Sequence, residues 1–201
     1  MGTANATLTA GLSVQVHRPN PAMKNTATRR LAWALTGSGH YIRECLALLE
    51  GRTDLDLFLS RAAAEVLAMY DIDQTALCKR FPCYRDNTAS APVIARLYEG
   101  WYSRLVVAPA TSNTVAKMVC GISDTLVTNL YAQAGKCRIP SIVFACDTAP
   151  ALETQAPGGQ VMVYPRPIDL DNVERLRGFA YTRVVDTFDA LTLALAADGS
   201  A

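Results

Sequence analysis

The chain has 201 residues, of which 50% are hydrophobic and 18% charged, with a formal net charge of +1. Average soluble domains carry roughly a quarter charged residues, so this sequence buries much relative to the surface it must solvate, which excludes a disordered chain. Gly at 12 and Pro at 10 exclude collagen-like and low-complexity classes. No apolar run approaches the roughly 18 residues of a membrane-spanning helix, and the near-neutral charge gives no reason to expect nucleic acid or an anionic membrane as partner. A surface this poor in charge favours self-association.

Residues 1–28 are rich in Thr, Ala, Asn and Pro and lack helical periodicity. They are read as an N-terminal extension to one domain over 29–197, with 198–201 a tail. Ser13-Val-Gln-Val16 has the pattern of a short edge strand, and the stretch lacks the long apolar core of a signal peptide. Leu31-Ala-Trp-Ala-Leu-Thr36 is an apolar strand ending in glycines. Tyr41 to Glu50 follows as a helix with Tyr41, Cys45, Leu48 and Leu49 on one face, and Gly51 closes it. Leu55 to Leu59 is the second strand, and Arg61 to Tyr70 an Ala-rich helix. Residues 71–90 read as irregular and Pro92 to Trp101 as helix. Leu105 to Pro109 is a strand buried on both faces. Thr114 to Cys120 and Thr125 to Ala134 are helices separated by Gly121, with Asp124 as the expected N-cap. Ser141 to Ala145 is another buried strand, Val161 to Tyr164 a weaker one. Asn172 to Leu176 and Phe188 to Ala197 read as helical.

Continuous apolar strands alternating with helices predict a parallel sheet covered on both faces: an α/β, Rossmann-like or flavodoxin-like three-layer sandwich. In such folds ligands bind outside the carboxyl ends of the strands. The first strand exits into Thr36-Gly-Ser-Gly-His40. Glycines there let backbone approach an anion, and the next helix offers unpaired N–H groups. Gly37, Ser38, Gly39 and His40 therefore suit a phosphate, although neither GxGxxG nor GxxxxGK is present. The second strand exits into Ser60-Arg61-Ala62, where Ser60 is either a plain N-cap or a further phosphate contact. The third exits into Thr111-Ser112-Asn113-Thr114, four hydrogen-bonding side chains where a cap needs one. They match the polar edge of a flat ring with carbonyls and ring nitrogens. The fourth ends at Cys146-Asp147.

The six cysteines are read as reduced core residues of a cytoplasmic protein, and no metal site is expected. His17 and His40 are the only histidines, and no nucleophile with its base stands out, so chemistry here calls for a cofactor. Trp33 and Trp101 read as core or interface residues.

Ala108-Pro-Ala-Thr-Ser-Asn-Thr-Val-Ala-Lys117 followed by Gly121-Ile-Ser-Asp-Thr-Leu-Val-Thr128 resembles the P-A-S-A-N-T-x-A-K and G-I-A-D-x-L-x-T segments of a flavoprotein family. That family includes cysteine decarboxylases, flavin prenyltransferases and dihydromethanopterin reductases. The resemblance runs from about Arg29 to Ala197, with Thr111-Ser112 standing where Ser-Ala is usual. It implies FMN at a subunit interface in a trimer-based homo-oligomer. FMN would be held by Gly37, Ser38, Gly39, His40, Ser60, Arg61, Ala62, Thr111, Ser112, Asn113, Thr114 and Cys146. Cys146-Asp-Thr-Ala-Pro150 replaces the decarboxylases' P-x-M-N-x-x-M-W, and the prenyltransferases' phosphate-holding Arg is missing. The Gly-Ser-Gly-His loop and Tyr41 look like the acceptor-type dihydromethanopterin reductases. The implied activity is hydride transfer from FMN, reduced by an external electron donor, to a dihydropterin. Asn113 would tune the flavin, with Tyr84 and Asp147 as proton donors and the segment around 80–90 as a lid. A flavin prenyltransferase using dimethylallyl phosphate and a non-enzymatic electron carrier are the alternatives.

Overall fold

The computed structural model describes residues 29–86 and 92–197. The expectations for the N-terminal extension, His17 and the tail lie outside the described residues.

Six strands form one sheet: β1 (Arg30–Leu35), β2 (Leu55–Leu59), β3 (Cys83–Arg85), β4 (Tyr102–Ala110), β5 (Ser141–Ala145) and β8 (Thr182–Val185). Their order is β3-β2-β1-β4-β5-β8 and every pairing is parallel. β6 (Leu152–Ala156) and β7 (Gly159–Val163) form a separate antiparallel hairpin. The central strands carry continuous apolar runs, such as Leu105 to Ala108 in β4, because helices cover both faces. Within β1 the pleat sends Leu31, Trp33 and Leu35 to one core and Ala32 and Ala34 to the other. The first core also takes the buried residues of α1 (Ile42–Ala47), α2 (Arg61–Met69) and α8 (Phe188–Ala196). The second takes those of α5 (Ser112–Val119), α6 (Leu126–Lys136) and α7 (Pro167–Arg177). Trp33 is fully buried, as expected, and its indole Nε1 donates to the Ala108 carbonyl at 2.9 Å.

The chain winds outward from β1 in one direction and from β4 in the other, so the strand order switches between these two neighbours. Their carboxyl ends frame the crevice where such folds place ligands. Thr36, buried at 1% exposure, clamps them together. Its Oγ1 donates to the Pro109 carbonyl at 2.8 Å and accepts the Thr111 amide at 2.9 Å.

Several local expectations need correction. The stretch after residue 71 is not irregular: Asp73 caps α3 (Gln74–Arg80) by accepting from the amides of Thr75 and Ala76, and three residues then add β3 to the sheet edge. The expected helix from Pro92 divides into a 3-10 turn (Pro92–Ile94) and the short α4 (Ala95–Tyr98). Thr125 rather than Asp124 caps α6, through a reciprocal box with Thr128, while Asp124 pairs with Lys117 at 2.8 Å. β6 and β8 escaped the sequence reading because one alternates polar residues on a surface hairpin and the other is a four-residue edge strand.

The cysteines were expected to be reduced throughout. Cys45 and Cys146 are buried free thiols, and Cys120 is free but exposed. Cys78 and Cys83 form a disulfide with Cα atoms 5.2 Å apart. The two-residue Phe81-Pro82 connection folds the end of α3 back onto β3 and brings the pair together.

Candidate functional site

Three strand tips converge at the carboxyl edge of the sheet. Cys146, at the end of β5, donates its thiol to Ser38 Oγ beyond β1 at 3.1 Å, and the same hydroxyl accepts the His40 amide at 3.1 Å. Ser112, at the start of α5 beyond β4, donates its hydroxyl to the Asp147 carboxylate. The Cys146 amide donates to the Ala110 carbonyl at 3.1 Å, tying the β5 tip to β4. Ser38, His40, Ser112, Cys146 and Asp147, five of the expected site residues, are thus one connected polar group.

Beside it opens a cleft of about 330 Å³. Gly37, Ser60, Arg61, Ala62, Thr111, Asn113 and Thr114 all line it. Ser60 caps α2 by accepting the Ala63 amide, and Thr111 caps α5 by accepting the Thr114 amide. Both helices therefore aim their N-terminal turns, with unpaired N–H groups and partial positive charge, at one space. Asn113 is exposed at the rim and its side chain bonds to none of the described residues. The Gly37 backbone passes so close to α2 that a Cβ there would lie 2.5 Å from Ala62 Cβ. Close backbone, hydroxyls, free helix amides and an unpartnered carboxamide form a donor set suited to a phosphate and to the carbonyl edge of a ring, so these residues fit FMN.

The β6–β7 hairpin is fastened to the glycine loop and to Tyr70. Thr154 Oγ1 lies 2.8 Å from His40 Nδ1, and the Tyr70 hydroxyl donates to the Gln155 carbonyl at 2.6 Å. Gly39 packs against that same tyrosine: a Cβ would stand 1.9 Å from its hydroxyl oxygen. Burial favours the neutral imidazole and lowers the His40 pKa, opposed in part by the charges of Asp147 and Glu44. Burial pushes the Cys146 thiol up to about 12, so it is a protonated donor and not a nucleophile.

Tyr84 is not brought to this cleft. It stacks on Phe58 with ring centroids 5.1 Å apart, and its hydroxyl accepts from Arg96. β3 pairing fixes it on the sheet, where Arg96 also reaches the buried Asp56, so it is not part of a lid. The sequence reading missed Asp86, Lys117, Thr125 and Thr128, which also line the cleft. Asp86 accepts the Leu126 amide at 3.0 Å, fastening the sheet edge to the start of α6. The Thr-x-x-Thr spacing at 125–128 is the signal that would have located that helix start, in place of the expected Asp124 cap.

The chain is similar to Burkholderia xenovorans DmrB, a cubic protein cage for redox transfer solved in complex with FMN, at 53% identity and a TM-score of 0.79. The match covers 86% of this chain and 96% of that one. An uncharacterized protein of Methanocaldococcus jannaschii is 35% identical over 78% of this chain and 89% of its own. The acceptor-type dihydromethanopterin reductase of Methanosarcina mazei is 34% identical over 64% of this chain, which spans 59% of that longer protein. The Flavoprotein family model matches residues 19–200. The chain belongs to the Flavoprotein family.

Proposed function

We propose that this chain is an FMN-dependent reductase that converts dihydromethanopterin to tetrahydromethanopterin, using electrons from an external donor. The observation that carries the reading is the convergence of Ser38, Ser112, Asn113 and Cys146 from three strand tips beside two helix N-termini. The 53% identity with a protein solved in complex with FMN supports the cofactor, and the reductase relative supports the substrate. FMN, when bound, supplies the hydride that the polypeptide cannot.

The chain's own residues bind, orient and protonate. The Gly37 backbone, Ser60, Arg61, Ala62 and the α2 N-terminus take the phosphate. Thr111, Asn113 and Thr114 meet the ring's polar edge, and Asn113 sets its orientation. Ser38, Gly39, His40 and Cys146 form the neighbouring wall. Asp147, hydrogen-bonded to Ser112 Oγ, holds or relays the proton that completes reduction through that hydroxyl. The hairpin bonded to His40 and Tyr70 covers the glycine loop. A trimer-based homo-oligomer in the cytoplasm completes the reading, in keeping with a caged relative. Among the described residues no helix is long and apolar enough to cross a membrane.

The test is a flavin titration followed by turnover. The purified protein should bind FMN and, once reduced, oxidise on adding dihydromethanopterin. Asn113→Ala should weaken FMN binding by about tenfold, the loss of one or two hydrogen bonds to a desolvated ring. A protein that ignores added FMN, or a reduced holoprotein inert to the pterin, would overturn the reading.

A further inference from the structure

The Cys78–Cys83 bridge lies at the sheet edge, outside the chemistry proposed above. Both residues are half-buried, unlike the fully covered Cys45 and Cys146. Exposed Arg85 reaches Cys78 Sγ with its Nη2 at 3.7 Å. The bridge fastens α3 to a strand of only three residues. That strand pairs with β2 over only three positions, Leu57 to Leu59, flanked by the Leu57 amide donating to the Pro82 carbonyl at 2.8 Å and the Asp86 amide to the Leu59 carbonyl at 3.1 Å. One residue beyond it, Asp86 lines the cleft and accepts the Leu126 amide at the start of α6. A covalent staple, a minimal strand and a wall of the cleft therefore fall within the nine residues from Cys78 to Asp86.

We propose that Cys78–Cys83 is a thiol–disulfide exchange site whose redox state sets the position of Asp86 and so the flavin affinity of the cleft, with a dithiol as the reducing partner. A thiolate of the dithiol attacks Cys83 Sγ, the Cys78–Cys83 bond breaks, and Cys78 leaves as a thiolate. The Arg85 guanidinium beside that sulfur stabilises the departing charge, which selects the leaving group. The partner's second thiol then displaces Cys83. Two electrons and two protons pass to Cys78 and Cys83, and the partner departs as its own disulfide. Reduction removes the tether between α3 and β3, and the short edge strand is then held by its pairing with β2 and the bonds that flank it, without a covalent link. Oxidation by a disulfide of higher potential restores it. The flavin arm of this proposal rests on the FMN reading; the exchange chemistry does not.

The experiment compares full-length protein purified in air with the same protein treated with dithiothreitol. Thiol titration after denaturation should find four free thiols before treatment, in keeping with Cys45, Cys120, Cys137 and Cys146, and all six after it. Six in the air-purified protein would overturn the proposal. Hydrogen exchange at the amides of Asp86 and Leu126 should quicken by about tenfold on reduction, as local opening of a weakly held edge predicts. Cys78→Ser/Cys83→Ser should exchange like the reduced protein whether or not dithiol is present. FMN should bind the reduced form about fivefold more weakly. Unchanged exchange, or equal FMN affinity in the two forms, would overturn the switch while leaving the flavin reading intact. Redox-dependent exchange in a protein that binds no FMN in either form would support the switch and sink the flavin reading.

Discussion

Cys146 Sγ lies 3.1 Å from Ser38 Oγ, so the tips of β5 and β1 meet across the end of β4. The contact needs a protonated thiol, and burial provides it by pushing the Cys146 pKa up to about 12. At pH 8 its thiolate population therefore lies far below the roughly one quarter of an ordinary cysteine. Iodoacetamide should therefore modify exposed Cys120 long before Cys146. Peptide mass mapping over a time course reads this directly. Equal rates at the two positions would mean that the β1 and β5 tips are open to solvent.

The imidazole of His40 couples the glycine loop to the hairpin through Thr154. Burial lowers its pKa, so the folded protein favours the neutral ring and the unfolded chain binds the proton better. The resulting stability is complete above the unfolded value near 6.5 and is lost as pH falls through the folded value. His40→Asn keeps a hydrogen-bonding side chain without the titration. Between pH 8 and pH 5 the wild type should lose more melting temperature than this variant. Parallel curves would show that His40 titrates as it does in the unfolded chain.

At the other end of β2, Asp56 is 1% exposed and takes three partners. Arg30 Nε donates at 2.6 Å, the Tyr102 hydroxyl at 2.7 Å and Arg96 Nη1 at 3.3 Å. Burial, with help from this carboxylate, raises the Tyr102 phenol well above the ordinary tyrosine range, so it donates at any physiological pH. Asp56→Ala strands a buried hydroxyl and two guanidiniums. Solvent reaches both arginines, so the cost should fall at about 2–4 kcal/mol, below that of a fully enclosed pair. Urea unfolding of the two proteins checks it, and a loss under 1 kcal/mol would show the cluster to be dispensable.

The sheet was legible in the sequence because its central strands are apolar on both faces, as with Val106 and Val107 between two helix layers. The strand tips were legible because a cap needs one hydroxyl and Thr111 to Thr114 supply several. What stayed hidden depends on contacts distant in the chain. Asp56 reads as a break in a strand until Arg30 and Arg96 are seen around it. Thr36 reads as the end of an apolar run until it bridges to Pro109 and Thr111. Tyr84 was misplaced because a three-residue edge strand has too few residues to show a period of two. The Cys78–Cys83 pair was read as reduced because spacing alone does not reveal that a helix end folds back onto the next strand.

Gly39 and Tyr70 offer the sharpest test of how the loop and the hairpin are joined. A Cβ on Gly39 would fall 1.9 Å from the tyrosine oxygen and 2.3 Å from Cζ, so the ring itself must move and not the hydroxyl alone. Its bond to the Gln155 carbonyl would be lost with it. Gly39→Ala should cost about 1–3 kcal/mol by overpacking. Tyr70→Ala should cost about 3 kcal/mol through the cavity and the lost hydrogen bond. Once the ring is gone the alanine at position 39 has room, so the double variant should be no less stable than Tyr70→Ala alone. The coupling energy should exceed about 1 kcal/mol, well beyond the roughly 0.5 kcal/mol seen for independent sites. Hydrogen exchange over residues 152–163 should rise in all three variants, because each removes the latch. Strict additivity with an unchanged hairpin would mean that Tyr70 does not hold the hairpin over the glycine loop.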